Sequence, residues 1–399
     1  MRKAGFSAAK LTRLTAAMQT YVDRGEVAGV VTLAWRHGET AHFEPQGWRD
    51  DAAQLPMQRD TLFRIASMTK PITSAAIMML IEEDQLTLDA PVARWLPELS
   101  APRVLRDPAG PLDQTDAAHA PLTVLDLLTH RAGYAYHFTA TGPLVKAYEA
   151  VFNGFESQVD PDAWLTRVGT LPLLFQPGTR WHYGIATDIL GVLIQRVSGL
   201  TPGDFFRTRI FEPLGMRDTA FWVPETQLDR LASAYSIDPG TQRRVVEDRP
   251  PTSRWANPKR FQGGGGGLVS TAQDYLQFAR LLLGRGRVDQ TRLLSNRSVD
   301  LMRSNFLSRE QRRVPAFGHE LWAGQGFGLG LSIVDDPARQ LPLGYRSVGS
   351  FSWPGAYGTS WFADPVENMI GLMLIQRRSI ERFPMSADFE RRLYDAIDA

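Results

Sequence analysis

"RIASMTKPITSAAIMMLIEEDQL", from Arg64 to Leu86, reads as a buried helix with a serine and a lysine at its head. Ser67 and Lys70 lie three residues apart and so share one helix face. Lysine is among the residues least often fully buried. The chain has five lysines, Lys3, Lys10, Lys70, Lys146 and Lys259, and all its other basic residues are arginine. It thus uses arginine where it needs only positive charge. A lysine in an apolar run is informative, because lysine can lose its proton on desolvation and arginine cannot. Moving its pKa from about 10.4 to near 7 destabilises the ammonium by roughly 4–5 kcal/mol. Such burial persists mainly where a neutral amine is used.

At the first turn of a helix the backbone N–H groups lack intrahelical partners. A serine hydroxyl there can act as a nucleophile, with its own N–H holding the resulting oxyanion. The competing reading makes Ser67 a helix N-cap and lets Lys70 snorkel to solvent. The same S-x-x-K spacing recurs at Ser7–Lys10, and about 0.3 matches are expected by chance, so the string alone is weak. Context separates the two, since Ser7 lies near a terminus on a helix with a wet face.

Two further stretches favour chemistry. "PGTRWHYGIATDILGVLIQRVSG", from Pro177, places Tyr183 on a short loop before a helix. A tyrosine beside a lysine ammonium gives up its proton more easily and can serve as base and acid. "SWPGAYGTSWF", from Ser352, opens a strand at a sheet edge. Gly355 there permits close backbone approach, and the Ala356 N–H supplies a second oxyanion donor. Taken singly, Tyr183 also fits a half-buried loop aromatic, and the second stretch an ordinary turn.

The whole chain bounds the answer. Its 399 residues are 43% hydrophobic and 22% charged, with net charge +1. That is ordinary for a globular protein and favours neither nucleic acid nor an anionic membrane. Cysteine is absent, which removes disulfides, thiolate catalysis and Cys-based zinc sites. No histidine pair has HExxH spacing, so neither a metal nor another cofactor is expected. Leu11, Leu14, Met18, Tyr21 and Val22 follow helical spacing and describe an amphipathic helix rather than a leader. No run of 18 apolar residues exists, so the expectation is a cytoplasmic protein with a small-molecule substrate and no protein partner.

Gly29–Trp35 and Thr40–Pro45 read as a hairpin turning at Arg36–Glu39. "LTVLDLLTHRAGY" (Leu122–Tyr134) and "ATDILGVLIQRVSG" (Ala186–Gly199) read as helices, and 101–120 and 235–260 as loops. "GGGGG" (Gly263–Gly267) marks a boundary before a helix capped by Ser270 or Thr271. "GTSWFADPVENMIGLMLIQ" reads as strand, turn, strand, and a closing helix carries Phe389, Leu393 and Ile397. The predicted fold is α+β. An antiparallel sheet built from the N- and C-terminal segments, residues 1–64 with 262–399, is flanked by the terminal helices. A mainly helical domain, 65–261, is inserted between them.

Together these stretches resemble the serine β-lactamase-like superfamily: class C β-lactamases, penicillin-binding proteins and, nearest, the family VIII carboxylesterases. The likeness spans about residues 10–380. "FRIASMTKPITS", "LTVLDLLTHRAGY", "PGTRWHYGIATDILGVLIQRVSG", "IFEPLGMRDTAF", "GGGGGLVSTAQDYLQFARLLL" and "DPVENMIGLMLIQ" fall in family order. The resemblance implies Ser67 as nucleophile, Lys70 as its activating partner and Tyr183 as shared base and acid. It implies an oxyanion hole from the Ser67 and Ala356 N–H groups.

The departures bear on substrate. Relatives acting on β-lactams or peptides show Tyr-x-Asn, and here the third position is Ile185. They show Lys-Thr-Gly before the oxyanion strand, and here it is Trp353-Pro354-Gly355. That lysine would hold a substrate carboxylate, whereas tryptophan offers an uncharged aromatic wall. Trp353, Gly355, Tyr134 and Ile185 are the candidate substrate-binding positions. The expected activity is a carboxylesterase cleaving short- to medium-chain esters through a Ser67 acyl-enzyme, with acyl transfer to alcohols as a side activity. The alternatives are a β-lactamase or D-aminoacyl peptidase, or a non-catalytic penicillin-binding-like protein.

Overall fold

The computed structural model describes residues 2–152, 159–315, 317, 321–339, 345–378 and 383–398. Its centre is an eight-stranded antiparallel sheet. The strands are β1 (Gly29–Arg36), β2 (Glu39–Asp50), β3 (Leu55–Pro56), β4 (Gln325–Phe327), β5 (Ser332–Val334), β6 (Phe351–Ser352), β7 (Ser360–Asp364) and β8 (Met369–Leu374). They lie in the order β4-β5-β6-β7-β8-β1-β2-β3. The C-terminal strand β8 therefore pairs with the N-terminal β1, Leu372 opposite Leu33 and Gly371 opposite Ala34. The expected hairpin is present, with strands that reach further and a tighter turn at His37–Gly38.

Side-chain alternation divides β1 between two cores. Val30 and Ala34 face the terminal helices α1 (Ala8–Asp23) and α6 (Met385–Asp395), packing with Leu14, Met18, Phe389 and Leu393. Val31 and Leu33 face the larger core. There α5 (Ala272–Leu283), capped by Thr271, lays Tyr275 against Trp361 of β7 at 5.4 Å. Both faces of the sheet are covered, so β1 reads as an almost unbroken apolar run.

The helical region is organised around α2 (Thr69–Glu82), in which every residue from Thr69 to Leu80 is buried. A helix apolar all round belongs inside a protein. Arg64, just upstream, is fully buried and ion-paired to Asp248, and it also donates to the Ala232 carbonyl. Removing one partner of such a pair costs about 3–5 kcal/mol, so it ties the chain ahead of Ser67 firmly to its surroundings.

Two expectations need correction. The helix read over Leu122–Tyr134 is only α3 (Val124–Leu128). A capping box starts it, Thr123 accepting from the Asp126 N–H. His130 enters the left-handed region (φ 53°) and ends it, turning the chain toward the site. Residues 101–120 and 235–260 are not wholly loops. Each carries a short hairpin, Arg103–Leu105 with Thr115–Ala117 and Ala234–Ile237 with Arg244–Asp248. Both hairpins are held by backbone pairing and lack the apolar alternation that marks a strand in sequence.

Candidate active site

Ser67 lies in a 3-10 turn, Ala66–Met68, immediately before α2 (Thr69–Glu82), whose N-cap is Met68. The serine hydroxyl therefore does not cap the helix, and the competing reading of this residue fails. Ala66 adopts φ 44°. A non-glycine residue held there costs on the order of 1–3 kcal/mol, and such strain concentrates at functional sites.

Lys70 is fully buried, so it does not snorkel. Its ammonium nitrogen lies 3.3 Å from Ser67 Oγ, 3.0 Å from the Tyr136 hydroxyl and 2.6 Å from the Gly265 carbonyl. It also lies 4.6 Å from the Tyr183 ring centroid. The Tyr183 hydroxyl donates to Ser67 Oγ at 2.7 Å. The structure thus brings Ser67, Lys70 and Tyr183 together.

Behind Lys70 stands Asp188 of α4 (Ala186–Ser198), 3% exposed. Its Oδ2 accepts from the Tyr136 hydroxyl at 3.1 Å, and its Oδ1 accepts from the Gly265 N–H at 2.8 Å. One carboxylate thereby fixes two of the groups that hold Lys70. Burial raises its pKa, opposed by the Lys70 charge and by the Gly265 N–H. Burial likewise pushes the Tyr136 phenol well up, with Asp188 adding to the shift, so Tyr136 remains a proton donor. His130 packs against Tyr183 at 4.9 Å and is held neutral, first by burial and then by Lys70.

Trp353 is buried, and its indole N–H donates to the Tyr183 oxygen at 3.2 Å. It is therefore more than an aromatic wall, because it also holds the tyrosine. Trp181, Trp322 and Phe327 complete an aromatic box with it. Phe327 lies 5.0 Å from Trp353, and Trp181 lies 4.8 Å from Trp322. The expected sheet-edge strand is instead a loop, 353–359, joining two interior strands, β6 and β7. A β-carbon on Gly355 would lie 2.3 Å from the Ile65 carbonyl, so only glycine lets this loop approach the turn bearing Ser67. Among the described residues, neither the Ser67 N–H nor the Ala356 N–H has a hydrogen-bond partner. Ser67 is half-buried and Ala356 exposed, so both donors are free to meet a ligand.

Two candidate positions do not join this group. Tyr134 is a core residue close to Tyr148, its phenol pushed far up by burial, and it makes no hydrogen bond to Ser67, Lys70 or Tyr183 among the described residues. Tyr136, two residues on, occupies the place beside Lys70. Ile185 is fully buried and belongs to the core. Sequence reading also missed Asp188 and Gly265. The glycine run looked like a boundary, yet a β-carbon on Gly265 would lie 2.4 Å from Asp188 Oδ2 and 2.7 Å from the Tyr136 hydroxyl. The signal available was an aspartate inside an otherwise apolar helix. Among the described residues no cluster of His, Asp or Glu is placed to hold a metal, and no helix is long and apolar enough to cross a membrane.

Comparison with known proteins shows the family. The Beta-lactamase family model matches residues 14–395. Protein Rv1367c of Mycobacterium tuberculosis (strain ATCC 25618 / H37Rv) is 46% identical over 362 residues, covering 90% of this chain and 88% of the relative. Esterase EstB of Burkholderia gladioli is 32% identical over 408 residues, covering 98% and 96%. Among solved structures, EstCE1, described as a hydrolase with promiscuous acyltransferase activity, superposes with a TM-score of 0.83 at 27% identity, covering 97% of this chain and 99% of its own. The chain belongs to the beta-lactamase family, in the serine hydrolase superfamily that also holds the penicillin-binding proteins and the family VIII esterases.

Proposed function

We propose that the protein is a carboxylesterase that cleaves short- to medium-chain esters with a neutral acyl group. One observation carries this reading. Ser67 Oγ sits between Lys70 and Tyr183, and an uncharged indole occupies the position where an anion-holding lysine would stand.

In the proposed cycle Ser67 Oγ attacks the ester carbonyl carbon, and its proton passes to the Tyr183–Lys70 pair in its singly deprotonated form, amine with phenol or ammonium with phenolate. The N–H groups of Ser67 and Ala356 hold the oxyanion. The carbon–oxygen bond to the alcohol then breaks, and the pair returns the proton to the leaving oxygen. Water attacks the acyl-serine, gives one proton to the pair, and releases the acid as Ser67 Oγ regains that proton. An alcohol in place of water gives acyl transfer, and the aromatic box limits competing water. EstCE1 and Esterase EstB support both halves of this reading by their own described activities.

The test compares p-nitrophenyl butyrate with nitrocefin. The expected result is ester turnover that is abolished in Ser67→Ala and retained in Ser7→Ala, with nitrocefin poorly cleaved. Trp353→Lys is expected to lower ester turnover and raise nitrocefin turnover. A charge-assisted hydrogen bond to a carboxylate contributes about 1.5–3 kcal/mol, roughly 10- to 150-fold in binding. Wild-type hydrolysis of nitrocefin as efficient as that of the ester would replace this reading with a β-lactamase.

A further inference from the structure

Two phenylalanine rings stand at the surface where the site opens. Phe138 is 54% exposed and Phe317 47%. Single exposed apolar side chains are ordinary, but the placement of these two is not scattered. Phe138 stacks on Tyr136, centroids 5.1 Å apart and planes within 8°. Tyr136 is the phenol touching Lys70. Phe317 meets Tyr183 edge-on at 5.3 Å and Trp181 at 6.0 Å. Tyr183 is the phenol touching Ser67. The two tyrosines are themselves 5.3 Å apart. A row of four rings, Phe138, Tyr136, Tyr183 and Phe317, thus passes over the reacting pair and ends in open apolar faces on both flanks.

Phe317 carries a second mark. Its backbone is left-handed, φ 54°. For a bulky residue this is an outlier, and strained conformations gather at ligand clamps.

We infer that these rings divide the two arms of an ester, Phe317 taking the alkoxy arm and Phe138 the acyl arm. The inference rests on the esterase reading above. The leaving oxygen must meet the Tyr183 hydroxyl to receive its proton, so its chain runs across the Tyr183 face toward Phe317 and the aromatic box. The attacked carbon has one arm left once Ser67, the oxyanion and the leaving oxygen are placed. The open flank for that arm is the Tyr136 and Phe138 side. The ligand class is a neutral alkyl or aryl ester whose arms are long enough to cover both rings.

Two substrate series separate the arms. p-Nitrophenyl acetate and octanoate vary the acyl chain, and ethyl and octyl butyrate, followed by pH-stat, vary the alkoxy chain. Phe138→Ala is expected to lower the octanoate-to-acetate ratio of kcat/KM about three- to tenfold and to keep the octyl-to-ethyl ratio within twofold. Phe317→Ala is expected to do the reverse. Both variants moving both ratios alike, or neither moving either, overturns the assignment while ester turnover by the wild type leaves the esterase reading standing. If the wild type cleaves neither series, that reading falls, and tryptophan fluorescence tests the rings directly. 1-Octanol is then expected to bind several-fold more weakly to Phe317→Ala alone, and octanamide to Phe138→Ala alone. Equal binding across the variants, or no binding, overturns the proposal.

Discussion

Asp188 shows why Lys70 can be buried at all. A fully buried ammonium with no counter-charge is expensive, and this carboxylate supplies one through the Tyr136 hydroxyl and the Gly265 peptide. Asp188→Asn keeps the shape but removes the charge and turns one of the two accepting oxygens into a donor. Its expected effect is a loss of about 10- to 100-fold in kcat with little change in KM, measured on p-nitrophenyl butyrate. A variant as active as wild type would show that Lys70 needs no carboxylate. Lys70→Arg is expected to be nearly as inactive as Lys70→Ala, because arginine keeps the charge but cannot exchange a proton. Substantial activity in Lys70→Arg would mean that only the positive charge matters. At this scale the sequence was legible where a residue type is odd for its surroundings, as with Lys70 in an apolar helix. It was not legible for Tyr136. Tyr134 and Tyr136 both follow α3 (Val124–Leu128), and the path of the intervening backbone, left-handed at His130 and at Gly133, decides which ring reaches the lysine.

Elements meet at this site by close backbone approach, and glycines allow it. The Gly263–Gly267 stretch passes between Asp188, Tyr136 and α2 (Thr69–Glu82), giving its carbonyl to Lys70 and its N–H to Asp188. Gly265→Ala puts a methyl group against both side chains. Overpacking of this kind costs about 1–3 kcal/mol, so the melting temperature is expected to fall by several degrees. Activity is expected to fall further than stability alone requires, because the forced shift moves the groups holding Lys70. Circular dichroism melting beside kcat checks both, and full kcat with an unchanged Tm would refute the close-approach argument. Regular elements with apolar periodicity, such as α1 (Ala8–Asp23), α4 (Ala186–Ser198) and β8 (Met369–Leu374), could be read from the chain because burial imposes that period. A glycine run has no period, and its function depends on neighbours far away in sequence.

The whole molecule buries several titratable groups, and their balance sets its response to acid. His42, hydrogen-bonded to Thr32 at 2.7 Å, and His182 are each lowered to about 4, in both cases chiefly by burial. The unfolded chain binds these protons near the ordinary histidine value of about 6.5. Stability from each neutral histidine is therefore complete above that value and is lost as pH falls toward 4. Between pH 7 and 4.5 each loss comes to about 2–3 kcal/mol. Asp274 works the other way. Burial raises it to about 6, so its contribution is complete below the ordinary carboxylate value and lost as pH rises through 6. Acidification over the same window returns about 2 kcal/mol from this group. Two histidines outweigh this one aspartate; His130, lowered in the same direction, adds to them, and Asp188, raised like Asp274, opposes them. The net loss expected from His42, His182 and Asp274 together is about 3 kcal/mol, a large share of the stability of an ordinary domain. Urea unfolding at pH 7 and 4.5 measures it directly. His42→Gln, whose amide can still bond Thr32, is expected to lose about 2 kcal/mol less on acidification than wild type. His42 is buried in the sheet rather than among the groups around Ser67, so the variant changes the acid response without touching the reacting groups. If His42→Gln loses as much stability on acidification as the wild type, His42 is not a source of the acid sensitivity, and the burden shifts to the histidines around Tyr183.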